Sequence, residues 1–205
     1  QLFAAIAAFE NEVRRLGVDP RGAQPTPGNM AGGLTTIEEK SLGASMKGGS
    51  TPLQEFVRYA QPPSKRGLVM MDTPGNDVTS MSAQVAGGAQ VMVFTTGRGT
   101  PTGTPVTPVI KVSTNTAIFE RMRDNIDLDA GPVITQGEPL ESVGKRIFDE
   151  VLAVANGKLT RAEILGHREF GIARLFLRRG NARRIAGGVA FRLGYPRLEV
   201  SHFLR

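Results

Sequence analysis

The chain has 205 residues, no cysteine and a net charge of +6, with 40% hydrophobic and 21% charged residues. That is enough for one sizeable core or a domain with an appendage. It excludes a disulfide framework, a cysteine nucleophile and a thiolate metal site within this segment. No apolar run is long enough to span a membrane, and the start, QLFAAIAAFENEVRR, has neither the basic opening nor the cleavage site of a signal peptide. A cytoplasmic location is the default. The absence of an initiator methionine at Gln1 suggests a chain that begins inside a longer polypeptide.

The charge is unevenly spread. Residues 171–205 hold eight Arg and one Glu, which leaves the remainder at −1 (+6 less +7). The body therefore offers no basic stripe for nucleic acid, and the tail alone carries the high charge. We expect a domain over 1–170 and an irregular basic tail over 171–205.

In chain order, Leu2, Phe3, Ile6, Phe9, Val13 and Leu16 have the spacing of an amphipathic helix, stopped at Gly17. Residues 19–34 are loop-like, with three Pro and four Gly. A helix starts near Thr36, where Thr36/Glu39 and Thr35/Glu38 both have capping-box spacing, and a short helix is expected over 52–60. Then strands and helices alternate: strand 67–72, helix 78–86, strand 89–96, strand 109–112, helix 115–123, strand 126–129, helix 138–155 and a short helix capped by Thr160. The alternation predicts an α/β fold, an open, mainly parallel sheet of about four strands flanked by helices in the Rossmann-like manner.

Three segments stand out chemically. In QPTPGNMAGGLTTIEEKSLGA (24–44), Gly28, Gly32 and Gly33 permit close backbone approach to an anion before a helix start. Glu38, Glu39 and Lys40 follow, as ligand, base or cation, or simply as helix-start carboxylates and a solvated lysine. In MDTPGNDVTSMSAQ (71–84), Asp72 ends a strand and Asp77 begins a helix, a placement suited to a hard cation or a substrate hydroxyl; Asp77 also reads as an N-cap. In VFTTGRGTPTGTP (93–105), Thr96, Gly97, Arg98, Gly99 and Thr100 follow a strand directly. Arg98 between two glycines suits a bidentate carboxylate clamp, or a solvated loop arginine. The GxGxxxG spacing of Gly97, Gly99 and Gly103 is not a dinucleotide fingerprint. With no Cys and only His167 and His202, the segment cannot build a zinc site alone.

Together, PTPGNMAGGLTTIEEKSLGA, MDTPGNDVTS, QVAGGAQVMVFTTGRGTPTGTPVTPVIKVSTNT and GHREF resemble the C-terminal region of the altronate/galactarate dehydratases, in order, from about residue 10 to 170. The resemblance implies a metal-dependent hydro-lyase with Fe(II) or Mn(II), acting on a sugar acid to give a 2-keto-3-deoxy acid. It also implies upstream domains of the same polypeptide as partners, among them an SAF-type domain, and leaves room for a homo-oligomer. In such chemistry a base removes the proton α to the carboxylate, a cation stabilises the enediolate, and an acid protonates the departing 3-hydroxyl. The roles carried over are proton transfer for Glu39 or Lys40, carboxylate binding for Arg98, substrate contact for Gly32, Gly33, Thr96, Gly97, Gly99 and Thr100, and metal binding for Asp72 and Asp77. Altronate-type members carry Cys where this chain has Thr104 and Ala130. That departure implies a metal held differently, or a chain nearer the galactarate type. Two other readings remain: an anion-binding α/β module without turnover, holding a ligand or a partner chain, and a binder of nucleic acid or of an acidic partner through the Arg-rich tail.

Overall fold

The computed structural model describes residues 2–15, 17, 25–46 and 48–172. The Arg-rich tail beyond these, the proposed basic appendage, lies outside the described residues. The chain divides into two units, Ala8–Gly49 with Leu175–Arg205, and Gln1–Ala7 with Ser50–Arg174.

Helix α1 (Leu2–Arg15) runs across the boundary between the units, and no side chain on it is buried. Its polar face is tied by the ion pairs Arg14–Glu10 at 3.2 Å and Arg15–Glu12 at 2.6 Å, while Phe3 and Phe9 stay exposed. In the smaller unit, the stretch expected to be loop contains a short helix, α2 (Pro27–Ala31). The sequence TPGN supplies it. Thr26 caps the Asn29 N–H, the Asn29 side chain takes the Thr26 N–H in return, and Pro27 needs no partner at the first turn. Helix α3 (Ile37–Met46) starts as expected, after Thr36.

The larger unit opens with a correction. Residues 52–60, expected as a helix, contain strand β1 (Leu53–Val57), which pairs in parallel with β2 (Leu68–Met71). Leu53, Phe56 and Val57 fit helical spacing, but they fit a strand broken by an irregularity between Leu53 and Glu55 equally well. Pairing with β2 decides between them, and the Glu55 carboxylate closes the connection by accepting the Ser64 and Lys65 N–H groups.

Helix α4 (Asp77–Ala86) follows, capped by Asn76 and not by Asp77. Then β3 (Met92–Thr96), β4 (Val109–Ser113) and β5 (Leu128–Asp129) form a three-stranded parallel sheet in that order, with α5 (Thr116–Arg121) between β4 and β5. Helices α6 (Pro132–Thr135), α7 (Leu140–Ala155) and α8 (Arg161–Leu165) complete the unit, α8 closed by a Thr160–Glu163 capping box. The α/β class and parallel pairing are as expected. The single sheet is not: β2 pairs with β1 and lies apart from β3–β5, so five strands make two sheets.

Every residue of β4 is buried, which makes it the centre of the fold. Successive side chains point to opposite faces. Ile110 and Val112 pack with Val154, Ile147 and Val151 of α7, and Val109 packs with Met81 of α4 and Met92 of β3. Each such aliphatic burial contributes about 1.5–3 kcal/mol. Among the described residues no helix is long and apolar enough to cross a membrane.

Candidate active site at the carboxyl edge of the sheet

Parallel register brings Thr96, Ser113 and Asp129 level at one edge of the three-stranded sheet, each followed by a polar loop. In an open α/β sheet the strands' carboxyl ends carry the binding crevice. After β3, the Thr96 hydroxyl accepts the Gly99 N–H at 3.0 Å, folding Thr96–Gly97–Arg98–Gly99 into a turn. Gly99 has φ +82°, and a methyl there would collide with Met122. Arg98 projects from this turn as an exposed side chain. Thr100 is buried, its hydroxyl 2.8 Å from that of Thr102.

After β4, the Thr114 N–H bonds the Thr96 carbonyl at 2.9 Å, and the Asn115 side chain caps α5 through the Ala117 and Ile118 N–H groups. After β5, Asp129 Oδ1 takes the Gly131 N–H at 2.8 Å, and a methyl at Gly131 would collide with Thr116. The loops after β4 and β5 line an open hollow of about 550 Å³, with Thr114, Asn115, Thr116, Gly131, Ile134 and Thr135 in its wall. The turn after β3 does not line it, though a methyl at Gly97 would lie 3.5 Å from the Thr114 hydroxyl. Thr116 Oγ1 is buried with no hydrogen-bond partner among the described residues. The edge thus combines hydroxyl and amide groups with two exposed guanidinium groups, Arg98 and the Arg146 that donates to the Asp129 carbonyl and pairs with Glu138, and Arg98 is the one set between glycines.

Neither Asp72 nor Asp77 lines that hollow. Asp72 is exposed, its N–H held by the Val57 carbonyl. Asp77 is exposed at the first position of α4, where it complements the helix dipole, and it lines a second hollow of about 300 Å³ with Thr73, Ser80, Gln84 and Phe94. Neither Thr96 nor Arg98 lines that hollow. Among the described residues no three His, Cys, Asp or Glu side chains converge. The described residues alone therefore do not supply a complete ligand set for a six-coordinate divalent cation. Thr104 is buried and closes a turn, donating to the Thr107 carbonyl at 2.6 Å. Ala130 packs against the core.

Glu39 and Lys40, with Gly32 and Gly33, belong to the smaller unit. Glu39 accepts the Thr35 N–H at 2.8 Å and the Thr35 hydroxyl at 2.6 Å, and these bonds hold its carboxyl below the usual range. Lys40 Nζ donates to Asn29 Oδ1 at 3.0 Å. Gly33 has φ +103°, which favours glycine.

Sequence reasoning missed two residues. Lys111 is completely buried in the middle of β4, its Nζ donating to the Pro101 carbonyl at 3.2 Å and to that of Thr102 at 3.5 Å. Burial pushes its ammonium below the usual lysine range, against the opposing pull of Asp127 and Glu169. Glu169 accepts the Gly103 N–H at 2.9 Å and contacts His167 Nδ1 at 3.1 Å. A lysine in the centre of the apolar run VIKVS was the one available signal; Glu169 had none beyond its place in GHREF.

Residues 1–177 match the family described as D-galactarate/altronate dehydratase, C-terminal. The chain belongs to this family. It is 44% identical to galactarate dehydratase (L-threo-forming) of Escherichia coli (strain K12) over 143 residues, 70% of this chain and 27% of that protein. It is 40% identical to altronate dehydratase of Bacillus subtilis (strain 168) over 175 residues, 84% of this chain and 35% of the relative. It is also 38% identical to the (2R)-sulfolactate sulfo-lyase subunit beta of Chromohalobacter salexigens over 155 residues, 75% of this chain and 40% of that one. The chain thus spans a quarter to two-fifths of these relatives' lengths. The Gly28–Gly33 loop and the Thr96–Thr100 turn both fall inside the family match.

Proposed function

We propose that this chain is the C-terminal part of a hydro-lyase that dehydrates a sugar acid of the galactarate or altronate type to a 2-keto-3-deoxy acid in the cytoplasm. The observation that carries this reading is Arg98, exposed between two glycines at the carboxyl end of β3, the edge at which Thr96, Ser113 and Asp129 stand level. Its planar fork pairs with the substrate carboxylate, while Thr114 and Thr135 meet the substrate hydroxyls. Pairing the carboxylate also acidifies the neighbouring C–H, because the charge that builds on carboxylate oxygen as that proton leaves faces the guanidinium.

Removal of the C2 proton and departure of the C3 hydroxyl give an enol, which takes a solvent proton at C3 to become the keto acid. Glu39 or Lys40 serves in proton transfer once released from Thr35 and Asn29. Fe(II) or Mn(II) belongs to this reading with most of its ligands supplied outside the described residues, Asp72 and Asp77 giving at most single carboxylates. The remaining groups come from upstream domains of the same polypeptide, which in full forms the working enzyme.

The sulfo-lyase relative supports a shared recognition element. Sulfolactate, galactarate and altronate all carry a 2-hydroxycarboxylate with a group at C3, so the binding of that half falls to this domain and the leaving group varies.

The test is proton NMR in D₂O. The complete protein, supplied with Fe(II) or Mn(II), is incubated with galactarate, altronate or sulfolactate in separate samples. Dehydration of a sugar acid produces a keto acid carrying deuterium at C3. Saturable binding of all three without any product would leave an anion-binding module in place of an enzyme.

A further inference from the structure

The loop between β3 and β4 links two parallel strands without a helix of its own, yet three consecutive residues at its centre are gripped from outside it. Lys111 Nζ takes the carbonyls of Pro101 and Thr102, and the Glu169 carboxylate takes the N–H of Gly103. Gly103 is pressed against the segment that supplies Glu169, for a methyl there would collide with the His167 carbonyl and lie 3.0 Å from Ala162 Cβ. That segment is anchored at both ends: the Arg161 N–H on Asp127 at 2.8 Å, the Gly171 N–H on Ser82 at 3.1 Å.

We propose that Lys111 and Glu169 are positioning residues, which hold the loop 97–107 in the shape that presents Arg98 to the substrate. The chemistry of Lys111 argues for this use. A buried ammonium is costly, and an apolar side chain would fill the middle of β4 as well. What lysine adds is a set of N–H donors at the end of a long stem, aimed at two loop carbonyls that would otherwise be unpaired. Glu169 supplies the complementary acceptor for the next N–H along the chain. Neither side chain is placed to touch a substrate at the sheet's edge; each acts through the loop. The inference rests on the reading of Arg98 as the carboxylate ligand.

Amide hydrogen exchange and steady-state kinetics of the complete protein, on the same samples, test it. Lys111→Met and Glu169→Ala are expected to speed exchange at Gly99, Thr102 and Gly103 by at least about tenfold, with the amides of β3 and β4 unchanged. KM for the sugar acid rises by more than kcat falls, because the loop binds rather than reacts. Glu169→Gln, which keeps an acceptor for Gly103, restores most of both effects; if Lys111→Met does not fold, the two Glu169 variants carry the test. Unchanged loop exchange, or loop and strands loosening together, overturns the proposal. A loosened loop with unchanged kinetics leaves the grip standing and sinks the placement of the substrate at Arg98.

Discussion

Gly99 sits so close to Met122 that a methyl group on its Cα would run into the methionine sulfur and lie 3.1 Å from Ile118 Cγ2. The contact joins the turn after β3 to the end of α5, two elements that the chain order separates by a whole strand. With φ +82° as well, the backbone favours glycine at position 99, and a methyl there would oblige the flexible Met122 side chain to move.

Gly99→Ala is therefore expected to destabilise the protein by about 1–3 kcal/mol, from left-handed strain plus overpacking. Adding Met122→Ala relieves the packing part and leaves the strain. Chemical denaturation of the single and double variants measures the coupling. A double variant no more stable than simple additivity allows would show that the Met122 contact is not what excludes the methyl.

Acid sensitivity follows from Glu169. Burial works against its ionised form, but the Gly103 N–H, its own backbone N–H and His167 outweigh burial and hold its carboxyl below the usual range. A carboxyl depressed in the fold contributes stability above its unfolded pKa, about 4.3 for Glu, and loses it as pH falls through the folded value. The melting temperature of the native protein is thus expected to fall more steeply below about pH 4.3 than that of Glu169→Gln. Parallel curves for the two would mean that the Gly103 bond does not distinguish the charged form.

Thr116 gives a prediction of opposite sign. Its buried hydroxyl has no partner among the described residues, so Thr116→Val keeps the shape and removes an unsatisfied group. Stability is expected to stay level or rise by about 1 kcal/mol. Loss of more than about 1 kcal/mol on thermal or urea denaturation would reveal a bonding partner for that oxygen in the native protein.

The elements around the site were legible wherever burial wrote a pattern. The apolar runs 89–96 and 109–112 are strands that pair in parallel, the second at the centre of its sheet and buried throughout, and Thr160 reads as a cap because Glu163 follows at capping-box spacing. The 53–57 strand was not legible, since Leu53, Phe56 and Val57 satisfy two periods and only the partner strand β2 chooses. Asp72 and Arg98 both follow strands, but β2 and β3 belong to different sheets, a matter of long-range pairing that local sequence does not record. The Gly103–Glu169 bond spans 66 residues, beyond any periodic signal. Lys111 was visible as an oddity in VIKVS, but its use depends on where the loop carbonyls point.

The most direct test of the site is Arg98→Lys in the complete protein, assayed for keto-acid formation from galactarate and altronate. Lysine keeps the charge and loses the planar fork, so a bidentate carboxylate contact predicts a fall in kcat/KM of at least about tenfold, roughly 1.4 kcal/mol. Arg98 is exposed in a loop, and the melting temperature measured on the same samples is expected to stay within about one degree. Unchanged kcat/KM with unchanged melting would contradict the account: Arg98 would then be a solvated loop arginine, and the carboxyl edge of β3 would not be where the sugar acid's carboxylate is held.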